Sequence, residues 1–155
     1  MTAGEPFAAM AVWALFLAPA LTKTRLVSPG AMALPIAKFA VKRQKERELR
    51  ADLWEMRSAI DHYKDAADKG GIQTKADSFN YPPDLQTLVD GVEIQSKEVR
   101  FLRKIPIDPM TGSAEWDMVS MQDDADSSSW GGQNVFNVHT KSTGTALDGT
   151  KYNTW

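Results

Sequence analysis

Cysteine is absent from the 155-residue chain. That excludes disulfides, thiol catalysis and Cys-ligated zinc together. Histidine is scarce: His62 and His139 are the only two. Neither has a Ser, Asp or Glu at a spacing that reads as a catalytic triad or a metal motif. Both therefore read as structural, and no enzymatic role is expected. A basic excess is also missing, since the net charge is -2. A nucleic-acid binder carries a positive face, so nucleic acid is not expected as a partner. No internal repeat is visible. Residues 6–22 contain no charge, and no Lys or Arg precedes Lys23. That run is short for a membrane-spanning helix and in range for a signal-peptide core. Residues 1–35 therefore read as an atypical apolar anchor or leader, and from Lys42 onward the chain reads as a soluble head.

Glycine and proline are missing between Ile36 and Lys69, and this stretch carries the strongest pattern in the chain. Leu49, Leu53, Met56, Ile60, Tyr63 and Ala67 recur at steps of four and three, one face of an amphipathic helix over 36–68. Charged residues crowd the other positions from Lys42 to Arg50. Glu46 and Arg50 are four apart and are expected to pair along the helix surface. Gly70 and Gly71 should end the helix, with Lys69 in its last turn. A helix of this length, roughly 50 Å, exceeds what a small head can bury, so its first part should project. Pro35 is expected either in the first turn or as a kink, if the helix continues upstream.

Loops and short helices are expected over 72–105. Asp84 is a candidate N-cap for a short helix carrying Leu85, Leu88 and Val89, closed by Asp90-Gly91. A further short helix or turn is expected over 97–103. A β-region follows over 106–155. Pro106 and Pro109 stiffen an extended crossing, and residues 108–112 carry turn chemistry. Trp116, Met118 and Ser120 alternate with Asp117, Val119 and Met121 as in a half-buried strand. Residues 135–140 read as a second strand. Between them, residues 122–134 form an acidic, Ser/Gly-rich loop.

Four pieces stand in an order that resembles a known family. They are ALPIAKFAVKRQKERELRADLWEMRSAIDHYKD (33–65), YPPDLQTLVDG (81–91), RFLRKIPIDPMTGSAEWDMV (100–119) and VFNVHTKSTGTALDGTKYNTW (135–155). Together they resemble the major pseudopilin of bacterial type II secretion systems, within the wider type IV pilin-like group. The resemblance implies an α+β, pilin-like fold, with a long N-terminal helix packed on a small antiparallel sheet. It implies a structural subunit, anchored in the bacterial inner membrane by a single pass with its head in the periplasm. Such a subunit polymerises with itself and works with other pseudopilins and the inner-membrane secretion platform. The alternatives are a minor type IV pilin subunit and a membrane-anchored, calcium-dependent periplasmic binding module.

The N-terminus departs from the family. Pro35 matches the family's mid-helix proline, which puts the expected processing point near Trp13 and Ala14. No Gly-Phe junction stands there, and Ala18 occupies the place of the family's early glutamate. Lys23 and Arg25 interrupt the apolar stretch, and Pro29-Gly30 would break a helix. Glu5 precedes the apolar run while basic residues follow it, opposite to the charge balance that the family's topology requires. An atypical unprocessed chain and a recorded start other than the natural one are both expectations compatible with these departures.

The resemblance also implies calcium in the C-terminal loop, where Ser142, Thr143, Gly144, Asp148 and Gly149 match in part. Calcium takes several hard oxygens, and Asp148 is the one carboxylate of that loop, so backbone carbonyls, or Asp123, Asp124 or Asp126 of the acidic loop, are the candidates to add to it. The competing reading is a tight turn at Asp148-Gly149. The basic run 42–50 reads either as a lipid-facing cluster or as a solvated face that pairs with acidic faces of neighbouring subunits. On the latter reading Arg47 and Arg50 belong to a subunit interface, and the off-stripe Trp54 reads either as part of it or as packing against the head's loops.

Overall fold

The computed structural model describes residues 30–124, 127 and 129–155. The anchor or leader region and its processing point therefore lie outside the described residues, apart from the first turns of a helix. That helix, α1 (Gly30–Asp68), runs for 39 residues, close to 60 Å at the usual rise per residue. It starts six residues earlier than the apolar spacing indicates. Pro35 accordingly lies inside the helix rather than in its first turn, where its missing N–H removes one rung of the ladder. Among the described residues no helix is long and apolar enough to cross a membrane.

The spacing that defines the apolar stripe decides which face of α1 is buried. Leu49, Met56 and Ile60 are almost fully enclosed, with Leu53, Ala59, Tyr63 and Ala67 beside them. Upstream of Lys42, residues 37–41 are all exposed, Phe39 and Val41 at 62% and 58%. The N-terminal part therefore projects. At the other end, Gly70 adopts a left-handed φ of 76°. Its N–H and that of Gly71 donate to the carbonyls of Ala67 and Ala66 at 2.9 Å each. These bonds satisfy the helix's last carbonyls and stop it. Lys69 falls just past the helix rather than in its last turn.

Helix α2 (Leu85–Asp90) is capped as its sequence indicates: the Asp84 carboxylate accepts from the Thr87 N–H at 2.7 Å. Leu85 and Leu88 turn inward onto α1. Gly91 closes the helix at φ 88°, with its Cα so near the Val99 carbonyl that a Cβ would come within 2.9 Å of it. Any side chain here would both strain the backbone and collide.

The next segment corrects the sequence reading. Lys97–Val99 is not helical. It forms strand β2, paired antiparallel with β1 (Val92–Ile94) through Val92↔Val99 and Ile94↔Lys97. The two are joined by Gln95 and Ser96, both at positive φ. A hairpin turn of this hand favours Asn-Gly, so the residues here conceal it. The second sheet matches expectation. Strand β3 (Trp116–Val119) pairs antiparallel with β4 (Asn137–Thr140), in the register Trp116↔Thr140 to Val119↔Asn137. Trp116 is buried with its indole donating to the Pro106 carbonyl at 3.0 Å. The architecture is thus α+β: one long helix and two small antiparallel sheets, with α1 packed on β4 of the second sheet and on α2, and the core between α1, α2, Trp116, Val135, Val138 and the C-terminal Ala146 and Tyr152.

The Pro-rich approach to β3 is organised by Asp108, which is fully buried. One carboxylate oxygen accepts from the Met110 N–H at 2.7 Å. The other accepts from the Thr140 hydroxyl on β4. The Asp108 carbonyl accepts from the Gly112 N–H at 2.7 Å. One residue therefore folds the turn and fastens it to the sheet.

Candidate functional site

Residues 137–155 lie along α1, and charged helix residues hold them there. Lys42 donates its Nζ to the Thr145 carbonyl at 2.6 Å. Glu46 is buried, and its Oε1 accepts from the Leu147 N–H at 2.8 Å and from the Tyr152 hydroxyl at 2.9 Å. Burial, followed by this bond to Glu46, pushes the Tyr152 phenol up to about 12. The surface pair expected between Glu46 and Arg50 therefore does not form. Glu46 turns inward because two donors of the C-terminal segment meet it there. Arg50 instead stacks over the Trp155 ring, 4.0 Å from its centroid, and approaches Asp148 at 3.4 Å.

Two turns further along α1, Arg57 enters the molecule. Its Nε donates to Asn137 Oδ1 at 2.8 Å. One terminal nitrogen donates to the Val138 carbonyl at 2.8 Å and to the main-chain oxygen of Trp155 at 2.6 Å. Partial burial lowers the Arg57 pKa from its ordinary value. His139 Nδ1 donates to the same Trp155 oxygen at 2.8 Å, and its Nε2 faces the Asn137 side-chain amide at 3.2 Å. The first bond assigns the Nδ1–H tautomer, which leaves Nε2 to accept. Burial is the main cause lowering the His139 pKa. The adjacent Arg57 charge adds to it, while the bond to Trp155 and the charge of Asp117 oppose it.

This network makes acid weaken the C-terminal attachment. A depressed folded-state pKa contributes stability that is present above the ordinary histidine value of 6.5 and lost as pH falls through the folded value. The melting temperature should therefore decline as pH falls below 6.5, and His139→Gln should flatten that part of the curve. Parallel declines in the two proteins would remove the assignment.

Arg50, Leu53, Trp54, Arg57 and Trp155 line an open groove of about 310 Å³. Trp54 is 73% exposed on its rim. Of the three residues assigned to a subunit interface, Arg50 and Trp54 are thus brought together. Arg47 is one turn up and exposed, hydrogen-bonded to the Gln44 side chain. Nothing in the spacing of Arg57 marks it as the residue that ties helix to strand, because it looks like any other charge beside the stripe.

The calcium reading fares differently. Asp148 Oδ1 accepts from the Thr150 N–H and hydroxyl at 2.9 and 2.6 Å, and Thr150 holds its carboxyl below the usual range. Ser142 Oγ accepts from the Gly144 N–H at 3.4 Å. Asp123 is also engaged, accepting from the Ser120 and Gly131 N–H groups at 2.8 and 3.0 Å. Those backbone bonds depress its pKa, Gly131 first. Asp126 lies outside the described residues. Among the described residues no three acidic or imidazole side chains converge on a point. One turn-bound carboxylate does not fit the donor set that calcium takes. Millimolar calcium against chelator is therefore expected to leave the melting temperature unchanged, and a rise of several degrees would restore the metal.

Glu48, Asp52 and Glu55 sit on the opposite flank of α1. Burial raises the Asp52 pKa, and the neighbouring Glu48, Glu55 and Asp108 charges raise it further against the opposing Lys104. No family model, curated protein or solved structure matches the chain.

Proposed function

We propose that this protein is a structural subunit of a filament: a pilin-like protein of the type II secretion pseudopilin kind. It waits in the inner membrane with its head in the periplasm and is added to copies of itself. Other pseudopilins and the inner-membrane platform are its further partners, and protein secretion is the process served. The observation that carries this reading is the division of α1. From Lys42 onward it holds and supplies the core of a small α+β head, while the stretch just before Lys42 stands clear of the head with Phe39 and Val41 uncovered. A globular binding module has no need of some 60 Å of helix to support so small a sheet region. A polymer built around parallel helices does, since each projecting stretch is covered by its neighbours.

The experiment is intact mass and N-terminal sequencing of the protein from its native membranes, paired with sedimentation of its assemblies. A processed chain that begins with a methylated residue and sediments as a polymer is the expected result. A monomer released from a conventional signal peptide would overturn the reading in favour of the anchored binding module.

A further inference from the structure

Two lines of charge run along α1, one on each side of its buried stripe. Arg43, Arg47 and Arg50 form the first and are exposed, with Trp54 continuing the line. Glu48, Asp52 and Glu55 form the second, with both glutamates exposed and Asp52 half-buried. At about 100° per residue the lines lie some 140° apart around the helix. They are therefore different surfaces. Among the described residues Arg43, Arg47, Glu48, Asp52 and Glu55 take part in no ion pair. Arg50 stacks over the Trp155 ring, and its one ion-pair contact is the 3.4 Å approach to Asp148, where both side chains are at least half exposed. Such a contact is weak and readily exchanged.

The spacing of the two lines is the same. Arg43 to Arg47 to Arg50 steps by four and three, and so does Glu48 to Asp52 to Glu55. Every basic residue therefore has an acidic counterpart five positions later: 43 with 48, 47 with 52, 50 with 55. From this match we infer that the basic line of one copy docks against the acidic line of a second, parallel copy shifted along the helix axis by five residues, about 7.5 Å. The occupant is another copy of this chain because its own opposite flank supplies the complementary charges in register. A contact between two different surfaces does not close on itself as a two-fold dimer does, and it can propagate. The inference rests on the filament reading and specifies the lateral contact and its stagger.

The test uses the full chain in its native host, with the sedimenting fraction as readout. Arg43→Glu with Arg50→Glu, and separately Glu48→Lys with Glu55→Lys, are each expected to cut that fraction about tenfold. Co-expressing the two doubly substituted chains should restore it, since each supplies the charge that the other lost. Register is tested within one chain: Arg43→Glu should be rescued by Glu48→Lys and not by Glu55→Lys. These positions are exposed, but Arg50 also touches Trp155 and Asp148. Melting curves will show whether its replacement loosens the C-terminal segment, and the Arg43→Glu and Glu48→Lys variants, which touch neither, carry the test independently. If the wild type sediments and the variants sediment equally well, the docking is wrong and the filament reading stands. Loss without rescue on mixing, or rescue by the wrong register, also overturns the docking. A wild type that never sediments overturns both.

Discussion

Replacing Arg57 with methionine is expected to destabilise the head by about 2–3 kcal/mol. The arginine satisfies Asn137, the Val138 carbonyl and the Trp155 main-chain oxygen from one guanidinium. Methionine fills much of the same volume and donates nothing, so three acceptors in a half-buried site lose a charged donor. The loss is partly offset, because burying the guanidinium itself costs desolvation free energy, as its lowered pKa reflects. Lysine should recover little: one ammonium at the end of a flexible chain does not reproduce the planar fork. Denaturant titration of the full chain measures the change. A difference below about 0.5 kcal/mol would mean that β4 and the C-terminal segment are held by apolar packing alone.

Asp108→Ala should cost slightly more, about 3 kcal/mol. The carboxylate is fully buried and joins the turn before β3 to Thr140 on β4. Removal leaves the Met110 N–H and the Thr140 hydroxyl without their acceptor, in a place that water does not reach, and opens a small void. Asp108→Asn is the informative companion. Its carbonyl can still accept from Met110, so it should retain part of the stability, about half. If Ala and Asn cost the same, the hydrogen bonds contribute nothing separable from shape.

Parts of this arrangement were plain in the chain and parts were hidden, for physical reasons. The buried face of α1 follows from the three-four spacing of Leu49 to Ala67, because burial of a helix selects one side. The Asp84 cap and the alternation around Trp116 are equally local, and both appear as read. The β1–β2 hairpin was hidden because its strands are three residues each, half of them charged, and its turn uses Gln95 and Ser96 in a conformation that seldom takes them. Glu46 and Arg57 were hidden for another reason. A charge on a helix reads as solvated unless its partner is in view, and their partners stand some 80 to 106 positions later. Arg50 and Trp54 were legible as a pair off the stripe. That Trp155 would complete their groove was not, since the contact spans 98 positions through Arg57.

The attachments of the C-terminal segment to α1 have a mechanical meaning. Lys42, Glu46, Arg50 and Arg57 span fifteen residues, roughly 22 Å of helix axis, and each grips a different point between Asn137 and Trp155. Tension applied to the projecting end of the helix runs parallel to this row. It loads the bonds together in shear, whereas a pull at right angles would open them one after another like a zip. The head is therefore stiffest along the direction of the rod that carries it, and weakest to peeling of its own last residues.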